Sequence, residues 1–167
     1  MSDRRLPLDP VEEARRQWRA HGWDDAADGM AAVTSVMRAQ QILLARTDEA
    51  LKPLELTYAR YEVLMILLFS RTGALPKKVI GSRLQVHPTS ISNALDRLEA
   101  AGFVAREPHP ADGRALLVRL TVDGRETAEK ATAALNAGVF GDPGVPVAQV
   151  EPLVSVLRAM RRSAGDF

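Results

Sequence analysis

The hydrophobic period of this chain changes at Gly102, and that change limits the available folds more than any other feature. Before it, apolar residues recur at helical spacing. After it, Phe103-Val104-Ala105-Arg106-Glu107 and Leu116-Leu117-Val118-Arg119-Leu120 read as two short strands. Between them, Pro108-His109-Pro110-Ala111-Asp112-Gly113-Arg114-Ala115 carries two prolines and an Asp-Gly pair. The whole reads as a β-hairpin with a long tip.

Helical patterns surround the hairpin. Asp9-Pro10-Val11-Glu12 has an N-cap, a proline at the first helical position and a glutamate that completes a capping box, so a helix is expected until Gly22. A second start at Asp24 or Asp25 leads into Met30, Val33, Met37, Leu44 and Leu51, one amphipathic helix ending before Pro53. Thr57 caps a third helix, roughly residues 58–71, whose apolar run from Val63 to Phe69 marks it as buried on most sides. Lys77 to Leu84 reads as a short helix with Val79, Ile80 and Leu84 inward. Val86-His87-Pro88 breaks the chain, and the next helix runs to about Ala101, where Gly102 stops it. Thr121 caps a helix to about Phe140. After a Gly/Pro loop, Val150, Leu153, Val154, Leu157 and Met160 mark a last amphipathic helix.

Composition removes several classes of function. The chain has no cysteine, which excludes disulfides, thiolate metal sites and cysteine nucleophiles. Only His21, His87 and His109 are left for a metal site or a histidine-dependent triad, and the last two sit in proline turns. There is no Gly-rich phosphate loop, no Gly-x-Ser-x-Gly elbow and no His-Glu-x-x-His, so an enzyme is not expected, nor a cofactor. The run from Val63 to Phe69 is the longest unbroken apolar stretch, far short of the roughly 20 residues of a membrane span. No stretch of signal-peptide length follows Met1-Ser2-Asp3-Arg4-Arg5, so a cytoplasmic protein is expected.

The formal net charge is +1, but residues 77–119 hold seven Lys/Arg against four acids. That local excess surrounds the helix beginning at Pro88. Ile91, Ala94, Leu95 and Leu98 share one face of it, suited to burial. The other side presents Thr89, Ser92, Asn93 and Asp96, flanked by Ser90 and Arg97. Small polar side chains let a helix enter a major groove about 12 Å wide. There Asn can bond adenine and Arg guanine, each in bidentate fashion. A solvated face with Ser/Thr for capping is the plainer alternative, and the basic hairpin that follows weighs against it. Arg114, on a projecting turn, is suited to a narrow minor groove. Asp112 can hold that tip by pairing with Arg106 or Arg97.

The order helix, helix, turn, helix, hairpin, with Leu56-Thr57, the segment Leu95-Asp96-Arg97-Leu98-Glu99-Ala100-Ala101-Gly102-Phe103-Val104-Ala105-Arg106, Asp112-Gly113-Arg114 and Leu120-Thr121-Val122-Asp123-Gly124, resembles the multiple-antibiotic-resistance-regulator (MarR) type of bacterial winged-helix transcription factor. The likeness covers residues 56–124. It implies a mainly α protein: a winged helix-turn-helix over residues 53–120, flanked by dimerisation helices over 9–52 and 121–167. It also implies a homodimer on a pseudo-palindromic double-stranded DNA operator, acting as a ligand-responsive repressor. Thr89, Ser90, Ser92, Asn93 and Arg97 would then meet bases or phosphates, and Arg114 the minor groove. The chain departs from the thiol-based peroxide sensors of that type in lacking cysteine, and it carries no convincing metal-sensing cluster. A winged helix used only for protein contacts is the competing reading.

Arg15, Trp18, His21 and Trp23 cluster near the first helix junction. Aromatic rings beside a cation suit a small anionic or aromatic ligand. Core or dimer interface is the commoner role for such tryptophans.

Overall fold

In the computed structural model, the described residues are 7–84, 88–109 and 112–167, with residues 88, 109 and 112–115 described through their backbone alone. The elements are α1 (Pro10–Ala20), α2 (Asp24–Leu51), α3 (Tyr58–Leu68), β1 (Ala74–Pro76), α4 (Lys77–Leu84), α5 (Pro88–Ala100), β2 (Val104–His109), β3 (Asp112–Leu120), α6 (Val122–Leu135) and α7 (Val147–Ser163).

The helix starts follow the local chemistry. Asp9 caps α1 by accepting from the Val11 amide at 2.9 Å. Glu12 does not close the expected box; its carboxylate faces Arg15 at 3.4 Å. Thr57 caps α3 and Thr121 caps α6, each hydroxyl accepting from the amide three residues on, at 3.4 and 2.9 Å. Helix α2 ends in a 3₁₀ turn, Lys52–Leu54, because Pro53 lacks the amide that a further α-helical turn needs. Helix α3 stops at Leu68, a little before the expected end, and the Leu67 carbonyl accepts from the Ser70 amide at 3.1 Å and the Ser70 hydroxyl at 2.7 Å.

Two features of the sheet differ from expectation. The hairpin strands are longer and the tip shorter: β2 reaches His109 and β3 begins at Asp112, with a register irregularity between Pro108 and His109. Pro108 is accommodated because β2 is an edge strand, where a missing amide breaks no second ladder. The other feature is β1, which pairs antiparallel with β3 (Leu75 opposite Val118) and makes β3 the central strand. The turn at Val86-His87 and the residues between the two wing strands, 110 and 111, lie outside the described residues.

The core gathers where the helix-turn-helix meets the sheet and α6. Leu51, Leu64, Leu67, Ile80, Leu95, Leu98, Val118 and Leu135 are all fully buried there. Tyr61 places its hydroxyl 3.1 Å from that of Thr132, which joins α3 to α6. Gly124 shows why the Thr121-Val122-Asp123-Gly124 segment is so restricted. A Cβ at this position would lie 2.0 Å from the Phe103 carbonyl oxygen, so only glycine lets the first turn of α6 sit against the turn between α5 and β2. The wing and α6 are thereby fixed to the same point. Beyond α6, residues Asn136–Phe140 form a π-helical turn, and Arg46 of α2 donates to the Gly138 and Asp142 carbonyls at 3.0 and 2.7 Å.

Candidate nucleic-acid interface

Helix α5 is built with an inner and an outer side. Ile91, Leu95 and Leu98 are buried, and Ala94 packs against the same core. Thr89, Ser90, Asn93, Asp96 and Arg97 are exposed, and Ser92 is half-buried. The outer side divides into two edges of different character.

One edge is tied to the scaffold by cations. Lys77, at the start of α4, donates its ammonium to the Ser92 hydroxyl at 2.7 Å. Arg106 of β2 reaches Asp96 at 2.5 Å and Glu99 at 3.2 Å. The helix is thus held to α4 on one turn and to the wing on the next. Farther along the wing, Arg119 pairs with Glu107 at 2.5 Å and donates to the Thr72 carbonyl at 3.3 Å. This pairing holds the Glu107 carboxyl below its ordinary range and raises the Arg119 guanidinium.

The other edge is open. Ser90, Asn93, Ala94 and Arg97, spaced three, four and seven apart, line an open cleft of about 420 Å³. The facing wall is the first turn of α3: Thr57, Ala59 and Arg60.

Of the residues singled out in the sequence, Thr89, Ser90, Ser92, Asn93 and Arg97 therefore share one side of α5. Arg106 acts on α5 itself, through Asp96 and Glu99. Asp112 and Arg114 stand in β3, and their side chains lie outside the described residues. Lys77 and Arg60 were not anticipated. Their places depend on how α4 and α3 cross α5, which no local pattern encodes.

The Arg15, Trp18, His21 and Trp23 group also comes together. Trp18 and Trp23 meet edge to face at 5.2 Å, and His21 stacks on Trp23 at 5.5 Å. Arg15 is already engaged, however: Asp28 holds it at 2.7 Å and also takes Arg19 at 2.9 Å. Hydrogen bonding from Arg15 lowers the Asp28 carboxyl from its ordinary value. Among the described residues, no three His, Cys, Asp or Glu side chains gather as a metal site, and no helix is long and apolar enough to cross a membrane.

A helix-turn-helix with an antiparallel wing and a polar outward face on its last helix defines a winged-helix DNA-binding regulator. Comparison with known proteins agrees. The MarR family model matches residues 56–116. The chain is 33% identical over 100 residues to the HTH-type transcriptional repressor Rv2887 of Mycobacterium tuberculosis, covering 60% of this chain and 70% of that protein. Among solved structures, Sco5413, a MarR family transcriptional regulator from Streptomyces coelicolor, is 48% identical with a TM-score of 0.77, covering 84% of this chain and 97% of that one. A mutant of Escherichia coli MarR complexed with operator DNA shares the fold, at 23% identity and a TM-score of 0.72 over 82% of this chain and 98% of that one. The chain belongs to the MarR family, a family of transcriptional regulators and not of enzymes.

Proposed function

We propose that this regulator works in the cytoplasm as a homodimer, binds a pseudo-palindromic operator and represses transcription until a small anionic or aromatic ligand releases it. The observation that carries the reading is the two-sided construction of α5. Its inner side is locked into the core, while its outer side offers hydroxyls, an amide and a guanidinium. A helix so held enters a major groove at little further entropic cost. Asn93 is the side chain suited to base edges and Arg97 to a base or a phosphate, with Thr89 and Ser90 beside them and Ser92 oriented by Lys77. Arg114, from β3, is assigned to the minor groove.

Dimerisation is supported by what the single chain leaves uncovered. Val33, Val36, Met37 and Leu44 on α2 are exposed, as are Leu153, Val154, Val156 and Met160 on α7. Helix α7 has no buried residue at all. Covering such surface contributes about 25 cal/mol per Å². A second copy brings the same two stripes, as a two-fold interface requires. Repression is supported by the likeness to Rv2887, named a repressor, and operator binding by the E. coli MarR complex. The ligand assignment rests on the aromatic cluster around Trp18 and Trp23, with Arg15 available only if Asp28 lets it go.

The experiment is a gel-shift titration against the DNA flanking the protein's own gene, at two salt concentrations. Saturable binding with a steep salt slope and preference over random duplex is expected. Equal binding to both duplexes defeats the operator assignment.

A further inference from the structure

We propose that the cleft between the first turn of α3 and the open edge of α5 seats a backbone phosphate of the DNA, held jointly by Arg60 and Arg97. The inference rests on the DNA-binding reading above, which gives Arg60 no role. Arg60 and Arg97 both line this one cleft, together with the polar residues Thr57, Ser90 and Asn93. Neither guanidinium has a carboxylate within ion-pair distance among the described residues. On the wing side, Arg106 closes on two carboxylates and Arg119 on one.

The acids that share a cleft with Arg60 sharpen the point. Asp48, Glu49 and Glu55 border a second cleft that Arg60 also lines, yet Arg60 pairs with none of them. Its Nε instead donates to the Thr57 hydroxyl at 3.3 Å, which holds the stem against the start of α3. The two terminal nitrogens have no protein acceptor among the described residues. Like charges in one cleft repel until an anion lies between them. The two free oxygens of a phosphodiester suit the planar fork of each guanidinium. A helix lying in the major groove has a phosphate strand along each flank, and the first turn of α3 stands on one flank of α5. The cleft thus supplies affinity and register without reading bases.

The test is a salt titration, by fluorescence anisotropy, on operator and on random duplex. The proteins are the parent, Arg60→Ala, Arg60→Gln, Arg60→Lys and, as a control on α6, Arg125→Ala. Arg60→Ala and Arg60→Gln are expected to weaken binding to both duplexes about tenfold. They should also flatten the slope of log K against log salt by about 0.9 per protomer. Arg60→Lys keeps most of the slope, because an ammonium also displaces a counterion. Arg125→Ala changes neither quantity. Unchanged affinity and slope in Arg60→Ala, with the parent binding normally, overturn the phosphate site and leave the DNA-binding reading intact. A loss in Arg60→Ala that Arg60→Gln does not share overturns it in favour of a structural role for the stem. A loss confined to the operator overturns it in favour of base reading. A parent that binds neither duplex overturns the DNA-binding reading, and the phosphate site with it.

Discussion

The middle of this molecule and its two ends are built on opposite terms. Between Leu56 and Leu120 each helix and strand finds a partner within the chain, and Leu64, Leu67, Ile80, Leu95 and Val118 have no exposed surface. At the ends, α1 and α7 contain no buried residue, and between Ala27 and Thr47 neither does α2. Met37 remains 58% exposed and Val156 60%. The hydrophobic patterns of the two regions look alike in the sequence. What differs is whether the single chain covers the apolar face. The winged helix is covered within one copy, and in the proposed dimer a second copy would cover the helical arms.

The sharpest way to break that comparison is to cut a cavity in the middle. Leu95→Ala removes a fully buried side chain between α5 and the rest of the core. It is expected to cost about 2–5 kcal/mol in chemical denaturation. A loss below about 1 kcal/mol would mean that α5 is less firmly seated than its burial implies.

At the ends the expected effect is on assembly. Leu153→Asp places a charge in the α7 stripe and should convert the dimer to monomers of 18.2 kDa by light scattering. The parent's melting temperature should rise with protein concentration, and that of the variant should not. A variant that stays dimeric would put the interface elsewhere.

On the outer side of α5 the expected effects are smaller and confined to DNA. Asn93→Ala should weaken operator binding by about 1–3 kcal/mol per half-site, with melting temperature and dimer unchanged. Quantitative gel shifts on the operator and on single-base variants check it. A variant that discriminates among those sites as the parent does would show that Asn93 reads no base.

The smallest expected effect lies at the α1–α2 junction. Arg15 holds the folded-state pKa of Asp28 below its ordinary value. This stabilisation is therefore present at neutral pH and is lost only as the pH falls through that lowered value. Asp28→Asn removes it at all pH values. Its expected signature is a shift in Trp18 and Trp23 fluorescence with hardly any change in global stability. Acidification should give the parent the same shift, below the pH at which an ordinary aspartate protonates, about 3.9. Identical fluorescence in parent and variant would show that the pairing does not hold the junction.

How much of this could be read from the sequence follows the same division. The change of period at Gly102 and the caps at Thr57 and Thr121 located the winged helix, because these are local signals that tertiary packing did not override. The inward face of α5 was legible for the same reason. Strand β1 was not: Ala74-Leu75-Pro76 has no alternation to show, and only the partner β3 makes it a strand. The wing tip looks longer in the sequence because Pro108 reads as loop, although an edge strand accepts it. Lys77 and Arg60 were invisible for a third reason. Each is separated from the α5 residues it stands beside by a change of chain direction, so its place follows from a crossing angle and not from spacing.

The central claim, that two copies of this chain read one DNA site, is tested most directly by footprinting the dimer on its operator. The same duplex is then measured with one half-site scrambled. The expected result is two protected tracts related by a pseudo-two-fold axis, one helical turn or a multiple apart, about 34–36 Å per turn. Two protomers should bind per duplex, and scrambling one half should lower the affinity for the whole. A single protomer on a single protected tract, with affinity unchanged by scrambling, would contradict it.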